Sequence, residues 1–172
     1  MTNTPFIRPG TPADQLRADR LYALAKEGLK AAGIDQWQGP YPNGSDFLRD
    51  VQDGRAIAIE SDGTVIGVAA AYIGHEPTYD RIWDGSWLTD NSQYGIIHRI
   101  TVDPSLRNTG AASAVISLLA AQCLEKGISS MRCDTHRDNL IMQRTLEKNG
   151  FCKCGTIAVE DGSLRFAYEK LL

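Results

Sequence analysis

The segment Val102-Asp103-Pro104-Ser105-Leu106-Arg107-Asn108-Thr109-Gly110-Ala111-Ala112 joins an apolar, strand-like run to an apolar, helix-like run. Asp103-Pro104 ends the strand, because proline cannot continue a sheet ladder. A helix N-terminus offers free backbone N–H groups and a partial positive charge. Gly110, Ala111 and Ala112 are small enough for a ligand to approach the backbone, and Arg107 adds a fixed positive charge. Together they suit a pyrophosphate. The alternative is an ordinary strand-to-helix turn with a surface arginine. The Gly-Lys-Ser/Thr ending of a Walker loop and the Gly-x-Gly-x-x-Gly dinucleotide pattern are both absent.

Two histidines are candidates for moving protons, since imidazole titrates near neutrality. His98 lies on the strand that feeds the loop, and period-two alternation places it on the side of Ile100 and Val102. It reads as a base or water-chain partner, or equally as a satisfied core histidine. His136 follows Asp134-Thr135 at a strand end. Asp134 either orients it or serves the turn, the commoner role for Asp there. His75 reads as a solvated loop residue; Glu60 or Glu76 could bind an amine, though single carboxylates are usually solvated. Trp37 and Tyr41 lie in the Pro- and Gly-rich stretch 37–44, and form either an apolar pocket wall or a packed surface loop. The aromatic stretch 74–92, with Tyr79, Trp83 and Trp87, carries the same two readings.

The elements that must position these residues follow from pattern and punctuation. A short strand at 6–8 leads to a helix capped by Thr11, with Pro12 in its first turn and Asp14 at its positive end. Leu16, Leu21, Leu24 and Leu29 give that helix an apolar side, and Gly33 stops it. A short helix spans 46–52. Strands at 56–60 and 65–72 meet at an Asp62-Gly63 turn. A strand covers 94–102. The helix at 110–126 is apolar almost all round, so most of its surface is expected to be buried. A strand at 130–134, a helix at 138–149 and a hairpin of 151–159 with 163–171 complete the chain. The order β-α-α-β-β-β-α-β-α-β-β predicts an α/β fold, a mixed sheet with helices on its faces.

The 172 residues suit one ordinary domain, expected to span 1–172. Apolar residues make up 42% and charged residues 23%, which marks a globular chain. A net charge of -3 argues against a nucleic-acid partner. No apolar run nears the ~20 residues of a membrane span, and residues 1–10 lack a signal-peptide core, so no membrane partner and a cytoplasmic location are expected. Four cysteines, Cys123, Cys133, Cys152 and Cys154, lack zinc spacing and read as free, core-packing thiols with no metal. On a regular strand Cys152 and Cys154 would share one face.

Arg107, Gly110 and Ala112 resemble the Arg/Gln-x-x-Gly-x-Gly/Ala cofactor motif of the GNAT acetyltransferases. Ile100-Thr101-Val102-Asp103-Pro104 resembles the strand before that motif. Asn139-Leu140 and Glu147-Lys148-Asn149-Gly150-Phe151 resemble the family's next motif. The order of elements agrees along nearly the whole chain. The resemblance implies the GNAT fold: a mostly antiparallel sheet of about seven strands, splayed at a central cofactor cleft. It implies acetyl-CoA as co-substrate. The pantetheine arm would meet Ile100, Thr101 and Val102, and the pyrophosphate would lie on Arg107, Asn108, Thr109, Gly110, Ala111 and Ala112. Asn139 would touch the cofactor arm. A bulge in the 100–102 region would free an N–H for the thioester oxygen, a donor of the kind worth ~3 kcal/mol elsewhere.

The implied activity is acetyl transfer to a primary amine, a small molecule or a peptide N-terminus, by direct attack in a ternary complex. An alkyl amine with a pKa of ~10 must lose a proton first, and some family members carry a histidine at the position of His98. The sequence departs from the family at Leu146, where a tyrosine often protonates the leaving thiolate. A thiol with a pKa of ~8.5 is still a tolerable leaving group. That departure keeps a non-catalytic acyl-CoA-binding module as the runner-up. A third reading is an unrelated nucleotide-binding protein. Such domains often pair, so a homodimer is compatible with the sequence.

Overall fold

Turn chemistry sets the hairpins. Asp62 and Gly63 both take positive φ, 51° and 72°, as a two-residue hairpin turn requires. They join β2 (Ala56–Ser61) to β3 (Thr64–Gly74). The last hairpin joins β6 (Cys152–Ala158) to β7 (Leu164–Leu171). There the Asp161 carboxylate accepts from Ser163 N at 2.9 Å, an Asx turn. With β1 (Phe6–Pro9), β4 (Tyr94–Val102) and β5 (Ser130–Thr135), these strands form a seven-stranded sheet in the order β1-β2-β3-β4-β5-β7-β6. The β1–β2, β2–β3, β5–β7 and β6–β7 pairings are antiparallel. The β4–β5 pairing is parallel and runs over Gly95↔Met131 and Ile96↔Arg132, in the first half of β4. The computed structural model describes residues 5–106 and 109–172.

Four helices accompany the sheet: α1 (Gln15–Ala31), α2 (Gly44–Gln52), α3 (Ala111–Glu125) and α4 (Leu140–Lys148). The α/β class and the element order agree with the sequence. None of the described helices is long and apolar enough to cross a membrane. α2 starts two residues earlier than expected, because the Asn43 side chain caps it by accepting from Ser45 N at 2.8 Å. Asp14 does more than favour a helix dipole. Its carboxylate takes both prongs of the Arg8 guanidinium, at 2.8 and 2.9 Å.

Contacts divide the chain into two compact units, Met1–Ala71 with His98–Val115, and Tyr72–Ile97 with Ile116–Leu172. The first has a core of Ala18, Leu21, Tyr22, Phe47, Ala56 and Val68. The second has a core of Tyr79, Tyr94, Ile96, Ile157 and Ala167.

Three expectations fail. Leu16, placed on the apolar side of α1, is 85% exposed, and α1 buries Ala18, Leu21 and Tyr22 instead. α3 is apolar almost all round yet buries Ala111, Val115, Ile116, Leu119 and Cys123, while Leu124 is 60% exposed. That spacing is one helical face, so an apolar composition did not imply all-round burial. Cys152 is exposed and Cys154 buried. A register shift between Lys153 and Gly155 breaks the alternation that would have placed them on one face.

Candidate active site

The mouth of α3 opens on a left-handed glycine. Gly110 has φ 79°, a left-handed conformation that suits glycine. A Cβ added there would meet no atom of the described residues within 4 Å. The helical ladder begins with Ala114 N donating to Gly110 O at 2.9 Å, which leaves the N–H groups of Ala111 and Ala112 outside it. Thr109 and Gly110 are exposed. Arg107 and Asn108 lie outside the described residues. Before the loop, Asp103 accepts from Ser105 N at 3.0 Å and from Arg17 Nη2 at 2.8 Å. The Ser105 hydroxyl and the Arg17 guanidinium hold its pKa down, and the strand end is pinned.

β4 is irregular one residue before the expected bulge. Arg99 has φ 54°, a left-handed conformation that is uncommon for a residue with a side chain. The Thr101 hydroxyl closes over it, donating to Arg99 O at 3.2 Å. This break removes the premise that His98 shares a side with Ile100 and Val102, because period-two alternation does not carry across residue 99. Thr101 is buried, while Ile100 and Val102 are half-buried. A Cβ at Gly67 would lie 2.7 Å from Thr101 O, so glycine lets β3 approach this part of β4 closely.

Trp37 and Tyr41 sit in the loop between α1 and α2. Lys26 Nζ fastens that loop, donating to Gly39 O at 2.9 Å and Pro40 O at 3.0 Å. Trp37 meets Tyr22 of α1 edge to face, with centroids 6.4 Å apart. The Tyr41 hydroxyl accepts from Arg99 Nη1 at 2.7 Å. Arg99 Nη2 donates to both carboxylate oxygens of Asp50, each at 2.6 Å. Burial pushes the Asp50 carboxyl up, with the Arg99 charge opposing it. Burial works against the Arg99 charge as well, but Tyr41 and Asp50 outweigh it and raise its pKa. His98 lies within electrostatic reach of Asp50. The first unit therefore brings Tyr41 and His98 to the Arg99–Asp50 pair, while Trp37 packs on Tyr22.

His136 and Asn139 belong to the second unit, between β5 and α4. Asn139 caps α4, its side-chain oxygen accepting from Met142 N at 3.2 Å. His136 Nδ1 accepts from Asp138 N at 3.2 Å. Asp134 takes a hydrogen bond from the buried Tyr79 hydroxyl at 2.6 Å, a partner not foreseen in the sequence. Tyr79 is 1% exposed, and Trp87 Nε1 donates to its carbonyl at 2.8 Å. These two aromatics of the 74–92 stretch thus join the core of the second unit. Trp83 is partly exposed, and bridges to Thr156. Glu76 caps a short turn, accepting from Thr78 N at 3.2 Å, and Glu60 pairs with Arg8 at 2.9 Å. Leu146 is 1% exposed, a core side chain of α4.

Arg99, Asp50 and Tyr22 were not legible as site residues. Within a strand pattern Arg99 should point away from its neighbour His98, and only its left-handed backbone changes that. Asp50 lies 49 residues earlier, in an ordinary amphipathic helix.

A model of the acetyltransferase (GNAT) family matches residues 16–151. A GNAT-family acetyltransferase from Streptococcus agalactiae is 34% identical, with a TM-score of 0.86 over 100% of this chain and 98% of that one. A GNAT-family acetyltransferase from Listeria monocytogenes, 18% identical, has a TM-score of 0.72 over 98% of this chain and 95% of that one. The PaiA N-acetyltransferase from Thermoplasma acidophilum, solved with coenzyme A, is 18% identical with a TM-score of 0.68 over 99% and 100% of the two chains. These last two carry the fold alone. No curated protein matches the chain. The family model and the whole-chain similarity agree, and the chain belongs to the acetyltransferase (GNAT) family.

Proposed function

We propose that the chain is a single N-acetyltransferase domain over 1–172 that moves the acetyl group of acetyl-CoA to a primary amine in a ternary complex. The observation that carries this reading is the mouth of α3. Its left-handed Gly110 meets no described residue where a side chain would stand, and the N–H groups of Ala111 and Ala112 lie outside the helical ladder, in a chain of this family. Arg107, Asn108, Thr109, Gly110, Ala111 and Ala112 would hold the pyrophosphate. Ile100, Thr101 and Val102 would meet the pantetheine arm, Ile100 and Val102 through backbone, and Asn139 is proposed as a further cofactor contact. The thioester supplies an electrophilic carbonyl.

The chain's own groups do the remainder. His98, with His136 as the second candidate, takes a proton from the substrate's ammonium so that the neutral amine can attack; the second proton, shed by nitrogen as the amide forms, passes to water or to the departing thiolate. As the new C–N bond forms, the C–S bond breaks and its electron pair leaves on sulfur. Leu146, walled into the core, donates no proton. The thiolate of a thiol with a pKa of ~8.5 leaves unaided or takes a proton from water. Trp37 and Tyr41 would line the acceptor side.

The buried Leu146 favours one second reading, a module that binds acyl-CoA without turning it over. Thiol release from acetyl-CoA with a panel of amines and peptide N-termini separates the two. Release that depends on the amine supports the transferase. Acetyl-CoA binding by calorimetry with no release across the panel supports the module.

A further inference from the structure

One buried cluster of the first unit lies outside the chemistry assigned to His98 and the α3 mouth. Among the described residues, the buried side-chain polar atoms without a hydrogen-bond partner are Tyr22 Oη, Arg99 Nε and Thr135 Oγ1. Two of the three belong to the left-handed residue of β4 and to Tyr22, whose hydroxyl feels the Arg99 charge. A buried arginine–carboxylate pair is weak evidence for stability, since apolar side chains of similar volume often serve as well. A left-handed arginine costs more still, and persists only where its surroundings over-determine it. Here they do. Arg99 reaches from β4 to Asp50 on α2 and to Tyr41 on the α1–α2 loop, and its guanidinium lies 5.6 Å from the Tyr41 ring centre.

The polarity of the Tyr41 bond is fixed. Arginine has donors and no acceptor, so the Tyr41 oxygen must accept. Its own O–H therefore points elsewhere, and no described residue receives it. Tyr41 is 46% exposed, so a ligand can reach this residue from outside. It lies in the same cluster as His98. An arginine already donating to the phenol oxygen also makes it a poor seat for a second cation. Asp50, the nearby carboxylate, has both oxygens engaged by Arg99.

We infer that Arg99 is a positioning residue that orients Tyr41 as a hydrogen-bond donor to the acceptor substrate, and that this substrate carries an accepting oxygen beside its amine. Aminoacyl and peptide N-termini have such an oxygen, and simple alkyl amines and polyamines do not. The inference rests on the acetyl-transfer reading and narrows it.

The test compares L-leucinamide with 3-methylbutylamine, the same skeleton without the carboxamide. The wild type should prefer leucinamide in kcat/KM. Tyr41→Phe should reduce the ratio of the two kcat/KM values about tenfold, the scale of one neutral hydrogen bond. Comparing this ratio between variant and wild type cancels the different basicities of the two amines, which enter both ratios alike. Arg99→Met should reduce the same ratio, and the double variant should reduce it no further, because the two side chains act as one unit. Tyr41 is half exposed, so its Phe variant is expected to fold even where Arg99→Met does not. A ratio unchanged by Tyr41→Phe, or a wild type that accepts only amines lacking the oxygen, overturns the inference and leaves the transferase standing. A wild type that releases no thiol with any amine overturns the transferase reading itself.

Discussion

Each unit of the molecule buries an arginine against a carboxylate, and the two pairs are built for different ends. In the second unit Arg132 lies between the rings of Trp87 and Tyr94, 4.3 and 4.1 Å from their centres. Its partner Glu169 is fully buried and accepts from Arg132 Nε at 3.1 Å, Leu88 N at 2.6 Å, Thr89 N at 3.2 Å and the Thr89 hydroxyl at 2.6 Å. Arg132 Nη2 donates to Thr89 O at 2.7 Å. The ion pair joins β5 to β7, and the other four bonds tie the 74–92 stretch to those two strands. In the first unit Arg99 sits on a left-handed backbone, leaves Nε without a partner and ends at a half-exposed tyrosine. A satisfied buried network holds a loop in place. A strained and incompletely satisfied one beside a candidate base points to positioning for chemistry.

The sharpest way to break this contrast is to unpair the second cluster. Glu169→Ala leaves Arg132 as a buried, uncompensated charge, and should cost about 3–5 kcal/mol of stability. Urea unfolding measures it. A loss below ~1 kcal/mol, no more than a surface ion pair contributes, would remove Glu169 as a structural anchor. The next effect belongs to the first unit. His98→Ala should lower turnover about 100-fold, the usual scale for a general base, with acetyl-CoA affinity little changed. Normal turnover in a folded variant would reduce His98 to packing and make His136 the next residue to test.

A smaller effect probes the cradle without disturbing the backbone. Valine at Gly110 would be strained at positive φ, whatever it did to a ligand. Asparagine tolerates the left-handed form, so Gly110→Asn should fold normally while its side chain enters the cradle. Acetyl-CoA affinity should fall about tenfold, as expected when a charge-assisted hydrogen bond is lost. Unchanged affinity by calorimetry would move the pyrophosphate elsewhere. The smallest effect shows that the first unit also holds ion pairs that serve stability alone. The Arg8 fork lowers the Asp14 pKa from 3.8 to about 2. A depressed carboxylate contributes stability above its unfolded pKa and loses it as pH falls through the folded one. Asp14→Asn should therefore cost about 1 kcal/mol at pH 7, the scale of a partly exposed ion pair. The difference from wild type should fade between pH 3.8 and about 2. A difference that persists below that window would assign the effect to packing.

Local chemistry was readable in the sequence. Asp62-Gly63 specifies its turn, Gly110 the start of α3, and the apolar periods the elements, because each depends on residues a few positions apart. The family motif followed for the same reason, since Arg107, Gly110 and Ala112 are neighbours in the chain. Exposure was decided only in the folded molecule. Leu16, Leu124 and Cys152 look like core by type and lie outside, because the opposing surface determines which face is covered. The same holds for the group that most distinguishes this site. Arg99 and Asp50 are 49 residues apart, and nothing local to either announces the other. The left-handed backbone that swings Arg99 toward α2 is held by tertiary contacts, so no propensity of its own residue could have revealed it.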